Sequence, residues 1–362
     1  MAVRYRPVRR RRKPLSPLLL LPLLVVAGLL VFSRARVSAS HSATVAPAPV
    51  ATMAPVTPSP SPSPSVALLL LPVFRQPSAT PVATATALPT ATSTPSLTPT
   101  PMYADAWLLA HPPTKPPAIS AKAAIVIDYD THQILYQSNP HEYLAQASTT
   151  KLTLADVALD VASPDLPITI SKDATEVVPD HMGVQVGEIL SLQELLYGAM
   201  LDSGNDAGWA IAEGIGSLDH TVALMNQKAV DLNMHDTHYV NPVGFDDPQH
   251  FTSAYDLAVV TEDALTRHPL LKQIVGTKKQ IIESTRTHGW FGPTNLNSML
   301  WDYPGAWGIK PGWTEGAQYC LVTAATRNGH TVLVTLLGSK DHFADGTTLL
   351  NYGFARIAEG EH

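Results

Sequence analysis

The sequence contains very little cysteine and, over its first 104 residues, no negative charge. Cys320 is the only cysteine among 362 residues, so an intrachain disulfide is excluded. Because Cys320 lies in the apolar stretch 319–322, it is predicted to be a buried thiol rather than a nucleophile. Residues 1–104 contain ten Lys/Arg and no Asp/Glu, whereas residues 105–362 contain 14 basic and 30 acidic residues. The resulting formal charge of −16 on this second part argues against nucleic acid as a partner.

Residues 1–37 have the pattern of an export element. A basic cluster at 4–13 precedes an apolar run at 15–32, whose length is short for a spanning helix and long for the core of a cleaved signal. Cleavage near Val37 is one alternative. Because Arg34 and Arg36 follow the run directly, an uncleaved anchor is favoured. The basic cluster should stay in the cytoplasm, which places the rest of the chain in the cell envelope, tethered to the cytoplasmic membrane.

Residues 38–117 are rich in Ser, Thr, Pro and Ala. Proline at this density removes backbone donors and fixes φ, so the segment is predicted to be a disordered, extended stalk without a packed core. The apolar segment 66–74 departs from this pattern, and it is too short to cross a bilayer.

Residues 118–362 are predicted to form the single globular domain. Apolar runs with strand character occur near both of its ends, and Asn328-Gly329 is a strong hairpin signal. Apolar residues at three-to-four spacing predict helices at 149–161, 191–215 and 220–232. The predicted fold class is α+β: an antiparallel sheet built from both ends of the domain and packed on helices, with a helical subregion.

The first chemical motif is Ser148 followed by Lys151. On a helix, residues three apart lie on one face, so the amine would stand beside the hydroxyl. A serine hydroxyl needs a base to become nucleophilic, and lysine can be that base only if its pKa falls by several units. Burial and a second nearby cation both lower the pKa of an amine. By itself the pair is a weak signal, since a helix cap and a surface lysine give the same pattern.

Two further motifs follow in the chain. Ser203-Gly204-Asn205 lies between two helical patterns, where the glycine permits a turn that presents a hydroxyl and an amide. Ser203 could relay a proton and Asn205 could hold a substrate carbonyl. The third motif ends a strand with Lys310, which could be the second cation, and Gly312, which allows a substrate backbone to lie alongside. Each of these motifs alone is also typical of an ordinary turn.

Together and in this order, the three motifs form the set found in penicillin-binding proteins and β-lactamases. The chain resembles one branch of this superfamily, the low-molecular-mass D-alanyl-D-alanine carboxypeptidases, over about residues 119–358. Further stretches that carry the resemblance are 147–160 (ASTTKLTLADVALD), 195–207 (LLYGAMLDSGNDA), 225–257 and 336–354.

The resemblance implies a β-lactamase/transpeptidase-like fold and a two-step acyl transfer on peptidoglycan stem peptides, with β-lactams as covalent inhibitors. Ser148 would attack the carbonyl between two D-alanines while Lys151 takes its proton. Ser203 would pass a proton to the departing D-alanine. The substrate-binding residues implied at the third motif and beyond it are Gly312, Trp313, Thr314 and His342, with the Ser148 and Trp313 N–H groups as the oxyanion site.

Two positions depart from the family pattern. Pro311 stands where the family usually has threonine, and His342 stands where it usually has arginine. Both usual residues contact the terminal carboxylate of the substrate. Proline has neither a hydroxyl nor an N–H, and histidine is mostly neutral at neutral pH and lacks the bidentate fork. Thr314 and Lys310 could compensate; otherwise these departures favour a DD-endopeptidase that cleaves cross-linked peptides.

Other functions are less consistent with the sequence. A β-lactamase needs a deacylating base, for which no convincing motif is present. A non-catalytic penicillin- or muropeptide-binding sensor is a third alternative. His235 and His238 lack the third ligand of a known metal spacing, so no metal and no cofactor are predicted.

Overall fold

The computed structural model describes residues 102–113 and 115–360. The predicted anchor at 1–37, most of the predicted stalk and the apolar segment 66–74 lie outside these described residues. Among the helices of the described part, none is long and apolar enough to cross a membrane.

The core of the domain is a five-stranded antiparallel sheet in the order β2-β1-β7-β6-β5. A two-stranded ribbon, β3–β4, lies apart from it. The strands are β1 (Ala123–Asp128), β2 (Gln133–Ser138), β3 (Pro167–Thr169), β4 (Ile189–Ser191), β5 (Ala306–Thr314), β6 (Gln318–Arg327) and β7 (His330–Ser339). The helices are α1 (Ala106–Ala110), α2 (Lys151–Val161), α3 (Lys172–Glu176), α4 (Leu192–Leu201), α5 (Asn205–Gly214), α6 (Leu218–Asp231), α7 (Ala254–Arg267), α8 (Pro269–Gly276), α9 (Met299–Asp302) and α10 (His342–Gly360).

The predicted α+β architecture is confirmed. The N-terminal hairpin of the domain joins its C-terminal hairpin where β1 pairs with β7, from Ala123 opposite Leu337 to Asp128 opposite Val332. The predicted Asn328-Gly329 turn links β6 to β7, with φ of 53° and 89°. Two positive φ values in succession match the right-handed twist of the flanking strands, which is why this dipeptide favours a hairpin.

Both faces of the sheet are covered at β1, so all six of its residues are buried and all but Asp128 are apolar. In β1, Ile125 and Ile127 pack into the larger core with α2 and α7, whereas Ala124 and Val126 pack into a smaller core with α10. This alternation follows from the two-residue repeat of a strand. The buried face toward α2 is the one on which the functional side chains collect.

The folded part begins before residue 118, which corrects the predicted end of the stalk. Tyr103 is 2% exposed, and its hydroxyl donates to the Ala258 carbonyl at 3.0 Å. Ala104 bridges to Gln133 beside β2, and α1 follows at once. The predicted stalk extends too far because the Ser/Thr/Pro-rich composition continues past Tyr103, whose hydrogen-bond partner Ala258 lies far along the chain.

Candidate active site

The nucleophile candidate, Ser148, lies in a short 3-10 turn (Ala147–Thr150) that leads directly into α2. Ser148 is 9% exposed and Lys151, the first residue of α2, is fully buried. The Lys151 Nζ atom lies 2.8 Å from Ser148 Oγ. The predicted spacing therefore places the amine within hydrogen-bond reach of the hydroxyl, in a site with little access to water.

Lys151 Nζ has two further neighbours, both acceptors. It donates to Asn205 Oδ1 at 2.7 Å and to the Val243 carbonyl at 3.1 Å. A neutral amine has two N–H bonds and one lone pair. If the two carbonyl-type oxygens take the N–H bonds, the lone pair is left for the hydroxyl proton of Ser148, which is the arrangement a general base requires.

Burial and charge both act on Lys151. Desolvation lowers its pKa well below the ordinary lysine value, and the charge of Lys310 lowers it further, while Asp180 and Asp206 oppose the shift. Lys310 is also fully buried, and burial lowers its pKa to about 7 against the opposing charges of Asp180 and Asp202. The charge of Lys310 thus favours the neutral form of Lys151, which is the form that can accept a proton.

Gly312 brings strand β5 against the nucleophile. A Cβ atom on Gly312 would lie 2.9 Å from the Ser148 nitrogen and 3.1 Å from Ala147 Cβ. Because side chains alternate along a strand, Lys310, Gly312 and Thr314 share the face that looks toward this turn. Any larger residue at 312 would push the strand away from the Ser148 N–H, the group predicted to bind the oxyanion.

The second motif forms the predicted turn, which divides the helical pattern at 191–215 into α4 and α5. Ser203 is 4% exposed with φ of 60°, and a Cβ on Gly204 would meet the Met182 nitrogen at 2.8 Å. Asn205 donates through its side-chain amide to the Pro179 carbonyl. This contact fixes the orientation of the amide and turns its oxygen toward Lys151.

A loop at 241–250 also contributes to the site, and its role was not predicted. Asn241 Oδ1 accepts from the Gly244 and Phe245 nitrogens at 2.7 and 3.0 Å. The loop so formed presents the Val243 carbonyl to Lys151, and a Cβ on Gly244 would overlap the Ala147 carbonyl at 1.9 Å. The pattern Asn-Pro-x-Gly at residues 241–244 is typical of a turn, but which backbone carbonyl the turn presents depends on long-range packing.

His250 links the same loop to the turn that carries Ser148. Its Nε2 lies 2.8 Å from Thr150 Oγ1, and the Val240 nitrogen donates to its Nδ1 at 3.2 Å. Burial lowers the pKa of His250 to about 4, so the ring is neutral at neutral pH. A neutral ring can accept at Nδ1 and donate at Nε2, which matches both contacts.

Thr314, one of the predicted substrate-binding residues beyond Gly312, is already hydrogen-bonded within the protein. The Thr314 hydroxyl donates to Asp246 Oδ1 at 2.6 Å, and the Gly316 nitrogen donates to Asp246 Oδ2 at 2.9 Å. Trp313 is 56% exposed and pairs in register with Tyr319 of β6. A carboxylate therefore already engages the threonine hydroxyl that was expected to help hold the substrate.

His342 begins α10 and packs among aromatic rings. Its ring is stacked on Tyr319, with centroids 4.6 Å apart and an interplanar angle of 5°, and it lies 3.9 Å from the ring of Phe343. Burial lowers the pKa of His342 to about 4, so it carries no charge at neutral pH. The position where the family usually has arginine is occupied here by a neutral, stacked ring.

Outside this site, one cluster of possible metal ligands and one thiol could in principle be functional. Asp156, Asp160 and His268 place ligand-type atoms within 4.8 Å of one another. Lys228 Nζ already lies 3.2 Å from Asp156 and 2.6 Å from Asp160, so the cluster is an ion-pair network whose charge is met by protein cations. Cys320 is buried, and burial raises its pKa to about 12, which confirms the predicted inert thiol.

Comparison with known proteins gives consistent matches. A model of the family described as D-alanyl-D-alanine carboxypeptidase matches residues 110–341. D-alanyl-D-alanine carboxypeptidase DacF of Bacillus subtilis is 32% identical over 249 residues, which are 66% of this chain and 63% of DacF. A D-alanyl-D-alanine endopeptidase of Pseudomonas aeruginosa is 33% identical over 241 residues, covering 64% of this chain and 76% of that protein. This chain thus spans less than two thirds of the length of DacF.

The fold matches solved structures as well. The crystal structure of the Streptomyces K15 DD-transpeptidase has a TM-score of 0.64 and 31% identity, and covers 67% of this chain and 100% of the K15 chain.

Proposed function

Because the chain belongs to the D-alanyl-D-alanine carboxypeptidase family, we propose that it is a serine DD-peptidase acting on peptidoglycan stem peptides, with carboxypeptidase activity as the first assignment. The observation that carries this proposal is the buried contact of 2.8 Å between Lys151 Nζ and Ser148 Oγ. The lysine has a lowered pKa there, as a base that activates a serine requires.

Acylation proceeds by attack of Ser148 Oγ on the carbonyl between the two D-alanines. The serine proton passes to the neutral Lys151 amine, and the oxyanion is met by the Ser148 and Trp313 N–H groups. When the tetrahedral intermediate collapses, the C–N bond breaks and Ser203 delivers a proton to the departing amine of D-alanine. The proton held by Lys151 passes to Ser203, so that the Lys151 amine is neutral again and can act as the base in the next step. The products of this step are free D-alanine and an ester on Ser148.

Deacylation follows the same route in reverse with water as the nucleophile. Lys151 accepts a proton from the water, the ester bond to Ser148 breaks, and the serine oxygen regains a proton. A β-lactam would acylate the same serine by ring opening and would be released slowly, which makes penicillin a covalent probe of the first step.

DD-endopeptidase activity on cross-linked peptides is the second candidate. Three observations favour it: Pro311 lacks a hydroxyl, the Thr314 hydroxyl is engaged by Asp246, and His342 is neutral and stacked on Tyr319. All three features weaken the binding of a free terminal carboxylate. A cross-linked peptide has an amide bond at the cross-link instead of that carboxylate, so its binding is less affected. A sensor that is acylated but does not turn over is the remaining alternative.

Mass spectrometry of products from defined linear and cross-linked muropeptides tests these alternatives. Release of D-alanine from linear pentapeptides supports carboxypeptidase activity, and cleavage of the cross-link supports endopeptidase activity. Stable acylation without either product indicates a sensor. If neither penicillin adduct nor peptide product forms, the proposed function is wrong.

The location of the enzyme is a proposal supported by the sequence alone. The basic cluster at 4–13 and the apolar run at 15–32 favour a chain tethered to the cytoplasmic membrane with its catalytic domain in the cell envelope. Membrane fractionation combined with protease treatment of spheroplasts tests it. Digestion of the catalytic domain in intact spheroplasts is expected, and protection from digestion contradicts the proposal.

A further inference from the structure

The loop at 241–250 is joined to the end of strand β5 by one carboxylate. Asp246 Oδ1 accepts from the Thr314 hydroxyl at 2.6 Å, and Asp246 Oδ2 accepts from the Gly316 nitrogen at 2.9 Å. A Cβ atom on Gly316 would lie 2.9 Å from this carboxylate, so the glycine permits the close approach. Asp246 therefore holds Thr314 and the turn after β5 together, although the residue as a whole is exposed.

These contacts fix what the Thr314 hydroxyl can offer to a ligand. A hydroxyl has one proton and two lone pairs, and an ionised carboxylate can only accept hydrogen bonds. The hydroxyl proton is therefore donated to Asp246, and one lone pair accepts from the Ala317 nitrogen at 3.0 Å. The lone pair that remains makes Thr314 an acceptor, and not a donor, toward the cleft.

Thr314 lies where the departing part of the substrate is expected. It is two residues beyond Gly312, which packs against the Ser148 nitrogen, and the two positions share one face of β5. Two residues of a strand span about 7 Å, and one extended residue of a bound peptide spans about 3.5 Å. A carboxyl group one residue beyond the bond attacked by Ser148 is thus within reach of the Thr314 hydroxyl.

We propose that Asp246 is a positioning residue that sets substrate specificity: it makes the enzyme select peptides whose departing residue carries an amide in place of a free carboxylate. The Thr314 lone pair accepts a hydrogen bond from the N–H of such an amide, whereas a carboxylate brings only further acceptors, which the charge of Asp246 repels. The bond broken and the acyl-enzyme on Ser148 are the same, and the group that leaves is D-alaninamide or an amidated peptide. The inference rests on the serine DD-peptidase function proposed above.

The test compares two substrates that differ only at this group, diacetyl-lysyl-D-alanyl-D-alanine and its C-terminal amide. The full-length chain in detergent should cleave the amide with the higher kcat/KM, with D-alanine and D-alaninamide quantified by mass spectrometry. In Asp246→Asn the side-chain oxygen stays on the Gly316 N–H, so the NH₂ group faces Thr314 Oγ1 and the hydroxyl proton is released toward the cleft. The ratio of kcat/KM for the acid to that for the amide should rise by about tenfold.

Asp247→Asn is the matched control, because it removes the same charge from the adjacent exposed position, where the carboxylate accepts from the Gln249 nitrogen at 2.7 Å. It should leave the acid-to-amide ratio unchanged. Asp246→Glu keeps the acceptor and should keep the preference for the amide. Thr314→Val removes the hydroxyl, so it should raise the ratio mainly by lowering kcat/KM for the amide. Adding Asp246→Asn to Thr314→Val should then change the ratio by less than Asp246→Asn does alone.

A wild-type preference for the free acid overturns the inference, as does a ratio that Asp246→Asn leaves unchanged or that Asp247→Asn raises equally. Equal loss of both activities in Asp246→Asn assigns Asp246 a purely structural role and overturns it too. If Asp246→Asn does not fold, a wild-type ratio in Thr314→Val overturns the inference. None of these results affects the serine peptidase function. A wild-type chain that cleaves neither peptide overturns the inference, and the same chain without a penicillin adduct overturns the serine peptidase function as well.

Discussion

The two sides of the cleft differ in how their polar groups are engaged. On the nucleophile side, Lys151 contacts both Ser148 and Asn205, and all three residues are at least nine-tenths buried. On the side expected to hold the substrate's terminal carboxylate, Thr314 is bound to Asp246 and His342 is stacked on Tyr319.

The residues that carry out acylation are therefore distinct from those expected to bind the terminal carboxylate of the substrate. The nucleophile side keeps the serine and lysine of the first motif and the serine and asparagine of the second, and burial lowers the pKa of Lys151 as the mechanism requires. The recognition side keeps Lys310 and Thr314 but has lost a hydroxyl at Pro311 and a permanent cation at His342. Acylation can therefore be intact while selectivity for a free C-terminus is altered, and variants on the two sides should affect different measurements.

The largest effect is expected for Ser148→Ala. Intact-mass analysis after penicillin treatment should show one adduct on the wild-type chain, located on the peptide that carries Ser148, and none on the variant, because the attacking oxygen is absent. Cys320→Ala is the control, since it removes the only thiol and should leave the adduct in place. An adduct that persists in Ser148→Ala contradicts the assignment of the nucleophile.

Lys151→Arg should lower the acylation rate by roughly 10³-fold, because guanidinium does not deprotonate and cannot act as the base. The wild-type rate should rise with pH through a deprotonation below the ordinary lysine pKa of about 10.4, since burial and Lys310 lower the pKa of Lys151. Stopped-flow acylation checks both results. Lys272→Arg, at the protein surface, is the control; a pH-independent wild-type rate counts against the assignment.

On the recognition side, the double variant Pro311→Thr with His342→Arg should raise kcat/KM for D-alanyl-D-alanine peptides. Each restored charge-assisted contact is worth roughly 1.5–3 kcal/mol, or about ten- to a hundredfold. The gain should appear with a free C-terminus and not with its amide, and penicillin acylation should rise as well. Acidification cannot substitute for the arginine at mildly acidic pH, because the pKa of His342 is about 4.

The matched control is Pro311→Val with His342→Leu, which adds neither a hydroxyl nor a cation and should gain nothing. If the Thr/Arg variant gains no more than this control, then Lys310 and Thr314 already suffice and the recognition side is not impaired.

The smallest effect on acylation is expected for substitutions at Tyr103, which lies outside both sides of the cleft. Tyr103→Ala should lower the free energy of unfolding by about 3–5 kcal/mol, because it empties a buried aromatic site, while the acylation rate stays unchanged at 25 °C. Tyr103→Phe, which loses only the hydrogen bond to Ala258, should cost about 1 kcal/mol. Urea denaturation measures both. An unfolding energy unaffected by Tyr103→Ala would show that the folded unit begins later, near the predicted residue 118.

Much of the fold was predictable because it depends on local pattern. The strand character of β1, the Asn328-Gly329 turn and the break at Gly204 all follow from periodicity or turn chemistry in short windows. The packing of Tyr103 was missed because its partner Ala258 lies far along the chain. The role of the Val243 carbonyl was missed because every residue has a backbone carbonyl, so the sequence does not show which carbonyl will face Lys151.

The sequence by itself determined which reactive groups are present, their order, and that Ser148 and Lys151 share one helix face, because these properties depend on residue identity and on spacing within a few residues. Only the tertiary structure decided the charge state of those groups and which of them are already hydrogen-bonded within the protein. A pKa depends on burial and on charges brought close from distant segments, as Lys310 and Asp180 are brought to Lys151. Whether a hydroxyl is free depends likewise on what packs against it, as Asp246 does against Thr314.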